Sequence, residues 1–199
     1  MIYFCMIKIL SCKTFAIFLM ASFLPCLGNA DNLRRQTDLA RKSEANLKVI
    51  SMAVWAYSDS RKDHLPGSFD DLIYGGFISA EDLGRIFIAP YDKISKVDKN
   101  NCITRQSSTY VYVGKGLHLG RNSHELFIVL EDPAKLPSTQ DSVAVLYLND
   151  TVRRHKLPEK ARKNCRAAAE YLLQSIKAPA ADKALILRNV AEAEKAANH

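Results

Sequence analysis

DNLRRQTDLARKSEANLKVISMAVWAYS, residues 31–58, is the stretch on which the fold turns. It contains neither Gly nor Pro, and Ala40, Leu47, Ile50, Val54 and Tyr57 recur at helical intervals. Residues so spaced stack on one side of a 3.6-residue period, so the stretch reads as one long amphipathic helix. Its first half is mostly charged and is expected to project. Its second half adds Val49, Met52, Ala53 and Trp55, is apolar on several sides, and is expected to be buried by a domain.

Downstream, Asp59, Asp63, Pro66 and Gly67 are stop and turn signals. A short helix follows in SFDDLIYGGFI: Ser68 is its expected cap, Asp70 and Asp71 favour its first turn, and Gly75-Gly76 ends it. After a polar tract from Lys93 to Ser108 come the strand signals. STYVYVG (108–114) and LFIVLE (126–131) read as strands, and VAVLYLNDTVRRH (143–155) as a hairpin with a two-residue turn at Asn149-Asp150. Beyond Pro158, Ala161, Cys165, Ala168, Leu172 and Ile176 form one helical stripe. Ala178-Pro179-Ala180 interrupts it, and Ile186, Val190, Ala193 and Ala197 form another. The expected fold class is therefore α+β: a long N-terminal helix packed on a three- to four-stranded antiparallel sheet, plus a C-terminal helical hairpin. The expected divisions are 1–30, 31–157 and 158–199.

Upstream of the helix lies an apolar leader. The run Thr14 to Leu27 would be roughly 21 Å long as a helix, short of a hydrocarbon core of roughly 30 Å. Lys13 precedes it and Gly28-Asn29-Ala30 supplies small residues, which suits a secretory signal peptide cut between Ala30 and Asp31. Extending the helix back over residues 9–27 gives roughly 28 Å, enough to span, with Lys13 close enough to the end to snorkel. Signal peptide and membrane anchor both remain open on these residues.

The formal net charge of +7 is spread along the chain with acids interleaved, which describes a solvated surface. The aromatic flanking of a nucleic-acid platform is missing around Tyr110 and Tyr112, so no nucleic acid is expected as partner. Of five cysteines, three lie in the leader; Cys102 and Cys165 remain as a candidate disulfide in an extracytoplasmic setting.

Taken in order, Leu24-Pro25-Cys26-Leu27, Arg34-Arg35, Asn46-Leu47-Lys48-Val49-Ile50, Ala53 to Tyr57 and Leu65-Pro66 resemble the helix of type IV pilin-like pseudopilins of type II secretion systems. The form is that common in Verrucomicrobia and Lentisphaerae. SSTYVYVGKGL resembles that family's S-Y-x-Y-V-G strand, ELFIVLEDP its strand ending in an acid and Pro, and VAVLYLNDTVRRH its V-L-F-x-D-G-H-V hairpin. The resemblance covers about residues 24–157. It implies a non-enzymatic extracytoplasmic protein, periplasmic or secreted or held at the inner membrane, with protein partners in the cell envelope or self-association. The chain departs from the family at its start. Phe4-Cys5-Met6-Ile7-Lys8 stands where the family carries F-T-L-I-E, with Tyr3 for the Gly read by prepilin peptidase and Lys8 for the glutamate used in filament assembly. These residues do not imply the usual processing or polymerisation. Asn149-Asp150 likewise replaces D-G.

Signs of catalysis and cofactor binding are lacking. Gly114, Gly116 and Gly120 have the wrong spacing for a dinucleotide loop and read as a flexible connection. His118, His124 and Glu125 lack the i, i+4 helical geometry of a metal site, and His64 reads as a turn residue. Glu131, Asp132 and Asp141 read as solvated loop acids rather than cation ligands. With no G-x-S-x-G elbow and no histidine near either cysteine in sequence, no catalytic residues, metal or cofactor are expected.

Overall fold

The computed structural model describes residues 10–97 and 102–196, with side chains from residue 34 onward. The chain divides into two compact units, Met1–Ala40 and Arg41–His199. In the first, the side chains of residues 34–38 are exposed. Phe4 and Lys8 lie outside the described residues, and the expected cleavage site at Ala30 and Asp31 and the candidate anchor over 9–27 fall where side chains are not described. Among the described residues, no helix is long and apolar enough to cross a membrane.

The second unit is α+β. It opens with residues 41–60 of helix α1, assigned over Leu10–Ser60. Ser43, Leu47, Ile50, Ser51, Val54 and Ser58 are fully buried along one side of the helix. Met52 and Trp55 are instead 64% and 40% exposed, so this part of α1 is buried on one face rather than on several. The physical reason is that a helix docked on a sheet covers a single stripe. The helix ends where Lys62 and Asp63 take positive φ (55° and 65°) and the Arg61 and Asp63 amides donate back to the Ser58 carbonyl.

Helix α2 (Phe69–Tyr74) follows, its start held by Asp71 Oδ2, which accepts from the Gly67 and Ser68 amides at 2.6 and 3.3 Å. Gly76 stands just past its end at φ 74°, the left-handed conformation that glycine adopts without strain. Phe69 packs against Phe87 and Tyr112 with ring centroids 4.7 and 5.3 Å apart. Phe87 lies just beyond the short helix α3 (Leu83–Ile86).

Four antiparallel strands form a sheet in chain order: β1 (Tyr110–Tyr112), β2 (Phe127–Glu131), β3 (Ser142–Tyr147) and β4 (Val152–Lys156). β2 and β3 are buried almost throughout and form the middle of the core. The β3–β4 connection is longer than a two-residue turn. Asp150 N–H donates to the Tyr147 carbonyl and Tyr147 N–H to the Thr151 carbonyl, with Asp150 alone at positive φ (64°). This is the three-residue type I turn closed by a left-handed residue. Edge strand β4 carries Arg153 and Lys156, exposed charges of the kind that discourage edge-to-edge pairing.

The C-terminal helices belong to the same compact unit as the sheet. Pro158 leads into a 3-10 turn, and helix α4 (Cys165–Gln174) begins only after Asn164, whose side chain accepts from Ala167 N–H at 2.8 Å. Helix α5 (Ala180–Ala196) packs on α4 and on β1.

Candidate functional site

β2 ends in two adjacent acids that the fold sends to opposite partners. Glu131 is fully buried and meets α1; Asp132, 1% exposed, meets the first residue of α4. Neighbouring residues of an extended chain project to opposite faces, which separates the two carboxylates by geometry alone. They are not the solvated loop acids read from the sequence. Asp141 lies apart from them, paired with Lys156 at 3.0 Å.

Glu131 sits at the centre of a polar clasp. Its Oε1 accepts from the Ser43 hydroxyl and from Tyr91 Oη at 2.6 Å; its Oε2 accepts from Ala144 N–H at 2.6 Å and Arg154 Nη1 at 3.2 Å. Arg154 Nε donates in turn to Glu44 at 3.0 Å, so one guanidinium bridges an acid on β2 and an acid on α1. Tyr110 Oη lies 2.8 Å from the Ser43 hydroxyl. Burial pushes the Tyr91 hydroxyl well above its ordinary pKa, reinforced by the charge of Glu131, and burial raises Tyr110 against the Ser43 hydrogen bond. Burial opposes the charge on Arg154, but Glu131 and Glu44 more than offset it and its pKa is raised. Both Glu131 oxygens are occupied by donors. The arrangement suits a structural clasp that fixes α1 to the sheet.

Asp132 holds a second cluster. Arg105 pairs with it through Nε at 2.7 Å and Nη2 at 3.2 Å, Ala134 N–H donates at 3.0 Å, and the Cys165 thiol donates to Oδ1 at 3.2 Å. Burial, followed by the charge of Asp132, raises the Cys165 thiol well above its usual pKa, the opposite of an activated nucleophile. Lys135 Nζ donates to Ser95 Oγ at 2.7 Å and to the carbonyls of Gln106 and Ser108 at 3.1 and 2.6 Å. The tract read as a polar loop is thereby stitched to the sheet. Cys102 and Cys165 are not joined: Cys165 is enclosed beside Asp132, whereas Cys102 lies 3.9 Å from the Tyr74 hydroxyl. The candidate disulfide is not formed, and the two thiols sit in separate environments.

Beside β1 and α5 lies a groove of about 280 Å³, bordered by Phe69, Ile103, Val111, Tyr112, Lys115 and Glu192. Its α5 wall is fixed by Asn189, which is 5% exposed and donates to the carbonyls of Val113 and Lys115 at 2.8 Å.

The connection from β1 to β2 is not the loose loop its glycines suggested, because Leu117 and Leu119 are buried and anchor it. His118 between them does not meet His124 and Glu125. It pairs with His64 in an isolated antiparallel bridge, the ring centroids 4.0 Å apart, while Glu125 accepts from Lys177 N–H at 3.0 Å. Among the described residues, no group of three or more His, Cys, Asp or Glu side chains is arranged to hold a metal ion.

Sequence reasoning missed the clasp and the histidine pair. The clasp had a signal: Ser43 falls four residues before Leu47, on the buried stripe of α1, where a polar side chain requires a partner. Nothing comparable joined His64 to His118. Comparison with protein-family models, with curated proteins and with solved structures finds no match to this chain.

Proposed function

We propose that the chain is a non-enzymatic, extracytoplasmic pseudopilin-like protein, a structural or protein-interaction component of a secretion or pilus-like envelope system. The observation that carries this reading is the two-sided character of α1 within the second unit. One side is clamped to the sheet through Ser43, Leu47, Ile50 and Val54, while Met52 and Trp55 stand exposed at helical spacing. Large apolar side chains left on a helix otherwise well packed are suited to contact with another protein. A helix packed on a four-stranded antiparallel meander accords with the pilin-like resemblance, and the altered start at Tyr3 and Lys8 points to a specialised or degenerate member.

The groove beside β1 and α5 favours a second reading, a secreted binding module that kept this fold without filament assembly. Crosslinking of the native protein in membrane and soluble fractions, with intact mass and N-terminal sequencing, separates the two. Crosslinks to envelope proteins or to itself through the Trp55 face support the first. A monodisperse monomer without partners, starting at Asp31 in the soluble fraction, rejects it in favour of the second.

A further inference from the structure

His64 lies just past the end of α1 and His118 in the β1–β2 connection, yet backbone pairing sets them side by side. Leu65 N–H donates to the Leu117 carbonyl at 3.3 Å and Leu119 N–H to the Asp63 carbonyl at 3.1 Å. Those two bonds flank the histidines, which makes them a non-hydrogen-bonded antiparallel pair. In such pairs the Cα atoms are about 4.5 Å apart and the two side chains leave the same face in close contact. Leu65, Leu117 and Leu119 point inward and are buried, so the imidazoles are directed outward.

The pair is held rigidly. His118 N–H donates to Asn122 Oδ1 at 2.7 Å, and its carbonyl accepts from the Arg121 and Asn122 amides at 3.4 and 3.2 Å. His64 N–H donates to the Arg61 carbonyl at 3.3 Å. Both ring-bearing residues therefore stand on fixed backbone, the condition for a site that need not be organised by its ligand.

We propose that His64 and His118 chelate a divalent transition-metal ion on this surface, two imidazole nitrogens entering its coordination sphere and water completing it. Zinc-to-imidazole bonds of about 2.0–2.1 Å place two such nitrogens about 3 Å apart on one ion. The ring centroids are 4.0 Å apart and the planes tilted by 56°, so chelation requires side-chain rotation to bring one nitrogen of each ring to that spacing. Two nitrogen donors select Cu²⁺, Ni²⁺ and Zn²⁺ over Ca²⁺ and Mg²⁺, with Cu²⁺ bound most tightly. Metal binding requires neutral imidazole. Of the neighbouring charges, Arg121 disfavours a dication and Asp63 favours it. Because the ion would join the turn after α1 to the β1–β2 connection, binding stabilises the fold by linkage.

The test titrates the full-length chain in detergent with Cu²⁺, read by calorimetry and by electron paramagnetic resonance. The expected result is a site whose spectrum shows two imidazole nitrogens, with a raised thermal midpoint and an affinity that falls as pH drops toward 5. His64→Ala and His118→Ala should each weaken this site by at least about tenfold, the double variant should abolish it, and His124→Ala should leave it unchanged. Far-UV circular dichroism checks that each variant is folded, and His118→Gln replaces any that is not. Wild-type affinity in a folded His64 or His118 variant, or a spectrum without two imidazole nitrogens, overturns the proposal.

Discussion

Glu131 shows how much one side chain can hold. It receives hydrogen bonds from four residues, on α1, the segment after α3, β3 and β4, and both of its oxygens are engaged. Glu131→Gln keeps the shape but replaces one oxygen with an NH₂ group that must face donors, and it leaves Arg154 without one of its acids. Because Glu44 still pairs with Arg154, we expect a loss near the lower end of the range for breaking a buried ion pair, about 3 kcal/mol, measured by urea denaturation. At Cys165 the expectation concerns reactivity. The enclosed thiol should resist alkylation in the folded protein while Cys102, partly exposed, reacts; peptide-level mass spectrometry checks the order. The sequence placed Cys165 correctly on the inner side of a helix, but it offered no sign that its partner would be Asp132, because that contact crosses from one element to another.

At the scale of elements, caps and strands were readable because their causes are local. Asp71 at the start of α2, the glycines at its end and the alternating strands each carry their reason within a few residues. The two-residue hairpin turn was misjudged on a detail of the same kind. Asp150, which stands where the resembling family has Gly, adopts the left-handed conformation alone, and its carboxylate accepts from Ser51 of α1. α4 begins later than Pro158 suggested because Asn164 supplies the side-chain cap. Asn164→Ala should cost about 1 kcal/mol in global stability by chemical denaturation. α5 depends on Asn189, whose amide satisfies two carbonyls at the end of β1. Asn189→Ala leaves both without that donor, and we expect a loss of about 1–3 kcal/mol, with faster amide exchange concentrated in residues 180–196.

For the whole molecule, the buried titratable groups set a direction for pH dependence. Cys165, Tyr91, Tyr110 and Tyr112 all have raised pKa values in the folded state, chiefly through burial. The folded protein therefore retains protons that the unfolded chain gives up, from about pH 8.5 for a thiol and about pH 10 for a phenol. Their contribution is complete below those values and is lost as pH rises through the folded pKa of each. The urea midpoint should fall above about pH 8.5, and Cys165→Ala should move the onset of that fall toward the tyrosine range. On the acid side, burial favours protonation of Asp92, but hydrogen bonds from Ser95, Thr109 and Ile94 outweigh it and keep its pKa low. That contribution is lost as the carboxylate protonates. What the sequence could not convey is the long-range part of the design, since the residues meeting at Glu131 come from five separate segments.

The reach of the Glu131 clasp also governs when the domain can exist during synthesis. Glu44 is paired with an arginine 110 positions later, and Lys48 and Ser51 contact a residue about as far along the chain. At about 5–20 residues per second, Glu44 is made roughly 5–20 s before Arg154. Through that interval Leu47, Ile50 and Val54 lack the complete four-stranded sheet. The nascent chain is thus kept open by its own wiring, and anything that must thread it, shield it or cut it as an extended polymer has until the fourth strand appears to do so.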